Sequence, residues 1–138
     1  MSPKLFQRGV IVEDNVIDAM ILTDGVVKQL CEELIVIDST RLPLEEIAEK
    51  VRAVLTDNML LTSDGNFPRY GDAIDLLTLL GPDLEAHGVR VCVNTAEDGL
   101  PERVTRLFPT AVAFLKPTSF EIMQDGISTC KPFECPKA

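Results

Sequence analysis

Short apolar runs recur along the chain and alternate with longer stretches whose apolar residues are three or four positions apart. The short runs predict buried strands, and the longer stretches predict helices with one apolar face. Strands are predicted at residues 9–14, 34–38, 52–57, 89–95 and 111–115. Helices are predicted at residues 15–33, 42–51, 72–80, 101–108 and 118–128. The alternation indicates an α/β protein in which helices cover both faces of a five-stranded parallel sheet.

Two stretches differ from simple strand–helix alternation. Residues 58–71 are rich in turn-forming residues and long for a connection between a strand and a helix. They are either a surface insertion or an element that covers or docks onto a site. The Gly81–Pro82 pair predicts the end of the helix that begins at residue 72.

Polar residues stand at the predicted carboxyl ends of all five strands, where open parallel sheets place their sites. Asp38 ends the second strand and is interpreted as a strand-end or capping residue. Glu13 and Asp14 end the first strand, Asp57 the third, Thr95 the fourth, and Lys116 follows the fifth. Grouped carboxylates are hard oxygen ligands that favour Mg²⁺. A carboxylate can also attack phosphorus, and a lysine and a hydroxyl can bind the phosphoryl oxygens. These residue types together predict magnesium-dependent phosphoryl transfer.

Composition narrows the function classes. The 138 residues suit one domain, with a core at about residues 8–128 and a tail at 129–138. Thirteen basic residues against 22 acids give a net charge of −9, which argues against binding to nucleic acid. No apolar run is long enough to cross a membrane, and we expect a cytoplasmic protein. The four cysteines lack zinc-site spacing and are expected to be core residues or free thiols of the tail.

The segments "VIVEDN", "AVLTDNM", "VCVNTA" and "AFLKP" together resemble the receiver domains of bacterial two-component response regulators. The resemblance covers nearly the whole chain and implies a flavodoxin-like fold of three layers with strand order 2-1-3-4-5. It implies that Asp57 accepts a phosphoryl group from a histidine kinase or a phosphotransfer protein. Asp57, Asp14 and the backbone carbonyl of Met59 are then the direct Mg²⁺ ligands, and Glu13 holds the ion through water.

The resemblance also assigns the residues that respond to phosphorylation. Thr95 and Lys116 match the hydroxyl and the ammonium that bind the phosphoryl group, and the bond before Pro117 is a candidate for the cis form. The aromatic residue expected three positions before the lysine is replaced by Ala113. Phe114 is either a core residue or an aromatic side chain turned to that role by a local irregularity.

Two further positions, Met59 and Glu97, match residues that flank the phosphoryl group and set its lifetime. Our hypothesis is that the apolar Met59 slows attack by water.

The predicted function is a phosphoacceptor domain that catalyses only its own phosphorylation and dephosphorylation, with output by contact with a downstream protein and a possible homodimer. Two alternatives are open. A degenerate receiver would serve only as a protein-interaction module, and a small phosphatase of the haloacid dehalogenase type would also use an aspartate nucleophile. The phosphatase class expects an aspartate at position 59, where this chain has Met59.

Overall fold

The computed structural model describes residues 4–67 and 71–136. The strands are β1 Phe6–Glu13, β2 Cys31–Asp38, β3 Met59–Asp64, β4 Asn66–Phe67, β5 Gly71–Asp72, β6 Arg90–Thr95 and β7 Val112–Leu115. The helices are α1 Val16–Leu22, α2 Leu44–Val54, α3 Ala73–His87, α4 Leu100–Leu107 and α5 Phe120–Thr129. Helix α1 continues as the π-helical segment Thr23–Val27 and a last helical turn, Lys28–Leu30.

The main sheet has five parallel strands in the order β2-β1-β3-β6-β7, while β4 and β5 form a separate antiparallel hairpin. Counted along the main sheet alone, this is the predicted order 2-1-3-4-5, and the prediction is confirmed. One core lies between the sheet and helices α2, α3 and α4 and includes Ile47, Leu76 and Val104. A second core on the other face, under α1 and α5, includes Leu22 and Met123. The chain therefore has three layers.

The third strand of the sheet is not the one predicted. Residues 52–54 belong to helix α2, in which Ile47, Ala48 and Val51 are buried at helical spacing. The strand begins at Met59 and ends at Asp64, and all residues from Met59 to Ser63 are buried. Thr62 and Ser63 interrupt the apolar run of this central strand, so the hydrophobic pattern does not predict it. Buried Thr62 meets its hydrogen-bonding need by donating to the carbonyl of Val10 at 3.5 Å.

Helix α3 also continues beyond its predicted end. It passes through Gly81 and Pro82 and stops only at Gly88, whose left-handed backbone (φ 62°) suits glycine. Its start is fixed by Asp72 and Asp75, each of which accepts the other's backbone N–H. The predicted 58–71 connection is thus mostly strand β3 and the β4–β5 hairpin; Pro68 in this segment lies outside the described residues.

The segment after α5, predicted as a tail, packs into the fold. The Phe133 side chain is buried against Phe108 with ring centroids 5.5 Å apart. Its backbone N–H donates to the carbonyl of Val89 at 2.8 Å. The segment therefore closes the end of the core at which β6 begins. Residues 137 and 138 lie outside the described part of the chain.

All four cysteines are free thiols, buried at Cys31 and Cys92 and half-buried at Cys130 and Cys135. Among the described residues, no helix has both the length and the apolar character needed to span a membrane.

Candidate functional site

Three carboxylates gather at the edge of the sheet where β1 and β3 end. Glu13 is the last residue of β1, Asp14 follows it, and Asp64 is the last residue of β3. One carboxylate oxygen from each lies within 4.8 Å of the others. The backbone N–H groups of Asp14 and Asn15 donate to Glu13 Oε1 at 3.2 and 3.3 Å. These bonds orient the buried Glu13 carboxyl toward the cluster.

The Lys116 ammonium joins these acids. After β7, Lys116 Nζ donates to Glu13 Oε2 at 3.1 Å, to Asp64 Oδ1 at 3.3 Å and to Asp18 Oδ2 at 3.0 Å. Its backbone is fixed to the neighbouring strand, since Lys116 N–H donates to the Thr95 carbonyl at 2.6 Å. The peptide bond from Lys116 to Pro117 is cis. Asp18 was not among the predicted site residues, although its place four residues after Asp14 is a signal that could have found it.

The structure separates Asp57 and Met59 from this cluster. Asp57 lies between α2 and β3, at the end of the sheet where the parallel strands begin. Its side chain is 88% exposed, and its Oδ1 lies 3.0 Å from His87 Nδ1. Met59 is buried at the start of β3, where its partner in β1 is Arg8. Their predicted positions beside Glu13 and Asp14 are wrong, because the third strand is Met59–Asp64 and not the predicted run at residues 52–57. Asp64 occupies that position instead.

A glycine and a threonine pack directly beside Asp64. The Gly65 N–H donates to Asp64 Oδ1 at 2.8 Å. A Cβ atom on Gly65 would lie 2.2 Å from Thr95 Oγ1, so only glycine fits there without a shift. The buried Thr95 hydroxyl oxygen accepts the backbone N–H of Glu97 at 3.0 Å. Thr95 and Lys116, both predicted site residues, therefore lie at the same edge as Glu13 and Asp14, and the exposed Glu97 lies beside them.

Burial and mutual repulsion disturb the protonation of this cluster. Burial raises the pKa of Glu13 from its ordinary 4.5 to about 8, the Asp64 charge adds to the increase, and Lys116 opposes it. Burial also raises the pKa of Asp64, against the effects of Lys116 and the Gly65 N–H. The pKa of Lys116 is raised: burial disfavours its charge, but its hydrogen bond to Asp18 and the charges of Asp64 and Glu13 outweigh that penalty. Carboxylates that resist ionisation beside one another are suited to a divalent cation.

The strand that precedes Lys116 carries no aromatic residue on the face that Thr95 occupies. Ala113 packs against the core under α2, α3 and α4. Phe114 packs in the opposite core, where a Cβ atom on Gly126 would lie 2.6 Å from the Phe114 ring. Phe114 is thus a core residue, and the interpretation that its ring is turned toward Thr95 is wrong.

Comparisons with known proteins identify the fold. No protein-family model and no curated protein matches the chain, but solved structures do. A response regulator receiver domain protein from Clostridium thermocellum matches with a TM-score of 0.67 and 12% identity over 89% of this chain and 92% of that chain. The complex of the Saccharomyces cerevisiae histidine phosphotransfer signalling protein Ypd1 with the receiver domain of Ssk1 also matches. Its TM-score is 0.65, with 17% identity over 92% of this chain and 90% of that chain. A two-component transcriptional regulator AraC from Clostridium phytofermentans matches with a TM-score of 0.64 and 15% identity over 89% of this chain and 93% of that chain.

These likenesses concern the fold. The five-stranded parallel sheet with helices on both faces is the fold of response-regulator receiver domains.

Proposed function

We propose that this chain is a phosphoacceptor signalling domain and that Asp64 is the residue phosphorylated. The observation that carries the proposal is the position of Asp64 between the acids Glu13 and Asp14 and the ammonium of Lys116. Both hydrogen bonds that the Asp64 carboxylate accepts within the described chain go to Oδ1, from Gly65 and Lys116. Oδ2 is therefore the oxygen that can attack phosphorus.

The transfer itself needs little beyond positioning and charge. An Asp64 oxygen bonds to the phosphorus of a phosphohistidine donor, the phosphorus–nitrogen bond breaks, and its electron pair stays with the departing imidazole. Glu13, Asp14 and Asp64 would hold a Mg²⁺ ion, with the carbonyl of Asn66, two residues after the acceptor, as a further ligand. The bound ion would neutralise charge on the phosphoryl oxygens. Lys116 supplies a second positive charge at the same oxygens.

With Asp64 as the acceptor, the positions proposed to set the lifetime of the phosphorylated state change as well. The residue two positions after the acceptor is Asn66, which is exposed, and it replaces buried Met59 in this role. Glu97, two residues after Thr95, keeps the role proposed for it. Both are polar and exposed, so neither shields the phosphoryl group from water as an apolar side chain would. We therefore propose a shorter-lived phosphorylated state than Met59 would have given.

The test is phosphorylation by acetyl phosphate with Mg²⁺, followed by intact-mass measurement. Wild-type protein should gain one phosphoryl group, and Asp64→Asn should gain none. Asp57→Asn is a matched control with the same change of charge at the other edge of the sheet, and it should be phosphorylated like wild type. Loss of phosphorylation in Asp57→Asn alone would refute the assignment. No phosphorylation of wild type would favour an interaction module, and continuous phosphate release from esters would favour a phosphatase.

We propose a phosphohistidine-bearing protein, either a histidine kinase or a phosphotransfer protein, as the donor. Helix α1 begins beside the acids and exposes Val16, Ile17, Met20 and Ile21. Exposed apolar residues next to the acceptor would provide a docking surface for a protein donor. A small phosphodonor such as acetyl phosphate would reach Asp64 without contacting this surface. Ile17→Lys should therefore slow transfer from a phosphohistidine protein and leave phosphorylation by acetyl phosphate unchanged. Equal slowing with both donors would contradict this docking surface. Output would then pass to a downstream protein by contact.

A further inference from the structure

Asp18 is a fourth acid at the site, and it comes from a helix rather than from the end of a strand. It lies in the first turn of α1, where its backbone N–H donates to the capping side chain of Asn15 at 3.0 Å. Its carboxylate accepts from Lys116 Nζ at 3.0 Å, the shortest of the three Lys116 contacts. The cap fixes the start of the helix, so Asp18 is held within reach of Lys116.

The ammonium group of Lys116 has all its donors occupied. An ammonium has three N–H donors, and Lys116 contacts three carboxylates, those of Glu13, Asp18 and Asp64. Glu13 and Asp64 belong to the proposed acceptor and cation cluster, but Asp18 lies outside the group of three acids that can share a metal ion. Its one described partner with positive charge is Lys116. Asp18 therefore acts on the site through this lysine.

We propose that Asp18 is a positioning residue that competes with a phosphoryl group on Asp64 for the Lys116 ammonium. This competition disfavours the phosphorylated state and weakens binding of a phosphoryl mimic at Asp64. The inference rests on the proposed function. Phosphorylation brings new anionic oxygens to the end of β3, and Lys116 can bind them fully only by giving up a carboxylate. Asp18 lies outside the group of acids that would hold the cation, so its contact with Lys116 opposes the phosphorylated state. The Asp18 side chain is 36% exposed, which limits the effect to that of a partly screened ion pair.

The test measures binding of beryllofluoride, a phosphoryl mimic, by ¹⁹F NMR at a Mg²⁺ concentration that saturates each variant. Asp18→Asn should bind the mimic about three- to fivefold more tightly than wild type, because the competing charge is gone while the size of the side chain is kept. Asp24→Asn, an equal change of charge farther along the same helix, should stay within about twofold. A purely structural role for Asp18 predicts the opposite result, a loss of affinity.

The outcomes separate this inference from the proposed function. Tighter binding in Asp18→Asn alone supports competition. Unchanged or weaker binding in Asp18→Asn overturns it while the function stands, and so does equal tightening in Asp24→Asn. A wild-type protein that neither binds beryllofluoride nor is phosphorylated by acetyl phosphate overturns the proposed function and this inference with it.

Discussion

The buried carboxyl of Glu13 should make the stability of this protein fall as the pH rises from 5 to 8. In the folded state its pKa is raised to about 8, mainly by burial, against an ordinary 4.5. Between these two values the folded protein holds a proton that the unfolded chain has released. The unfolded state therefore binds fewer protons, and the free energy of unfolding decreases with pH over this window. The raised pKa of Asp64 acts in the same direction.

The magnitude follows from the size of the pKa change. The difference between 4.5 and about 8, at about 1.4 kcal/mol for each pKa unit, gives about 5 kcal/mol. This is an upper value, because Lys116 and Asp64 adjust as Glu13 ionises. Because the window from pH 5 to pH 8 covers only part of this change, a loss of about 2–4 kcal/mol is expected across it, a large part of the stability of an ordinary domain. Glu13→Gln should remove most of the slope, because its side chain has a similar shape and does not titrate.

The assay is urea unfolding followed by far-ultraviolet circular dichroism at pH 5, 6, 7 and 8, with constant ionic strength and a chelator present. Glu49→Gln is the control, since Glu49 is an exposed acid on α2 whose ion-pair partner is Arg52. It should keep the wild-type slope. The reasoning is refuted if wild-type stability is flat or rises over this range, or if Glu13→Gln retains the full slope.

Three further changes test the packing around the site and along the core, each measured by urea unfolding. Gly65→Ala should cost about 1–3 kcal/mol, since its Cβ would lie 2.2 Å from Thr95 Oγ1; no loss would mean that Thr95 can move aside. Phe133→Ala should cost about 3–5 kcal/mol because its ring is buried against Phe108, whereas a loose tail predicts none. Met59→Ala should cost about 2–5 kcal/mol and leave the phosphoryl half-life within about twofold; a larger change in half-life would restore its proposed role.

Most of the site could be predicted from the sequence because it depends on local signals, whereas the strand order was implied by the resemblance to receiver domains. Glu13 and Asp14 end an uninterrupted apolar run, and Lys116 follows another, so their positions at the sheet edge follow from the run alone. The receiver fold then requires those ends to meet. Thr95 was predicted on the same grounds.

The acceptor could not be identified in this way, because two aspartates each follow an apolar run. Asp57 follows "AVLT" and Asp64 follows "MLLTS". Ala53 and Val54 of the first run form the end of helix α2, whose buried residues include Ile47 and Val51, and Val54 and Leu55 pack partly buried against the same core. The second is a central strand whose Thr62 and Ser63 are buried. Tertiary burial of hydroxyl groups is not visible in a local pattern, so the hydrophobic pattern alone favours the first run, which contains fewer hydroxyl residues, as the strand.

The charge balance of the site argues that a cation is needed before phosphorylation. Among the residues that the structure describes, four carboxylates, those of Glu13, Asp14, Asp18 and Asp64, lie around one ammonium, that of Lys116. With all of them ionised, three negative charges are not compensated, and a phosphoryl group would add more. Lys116 cannot supply the difference, because its three donors already contact three of these acids. A divalent cation would both neutralise the acids and release Lys116 to bind the incoming phosphoryl oxygens. Phosphorylation of Asp64 should therefore stop when Mg²⁺ is removed by a chelator and return when it is restored.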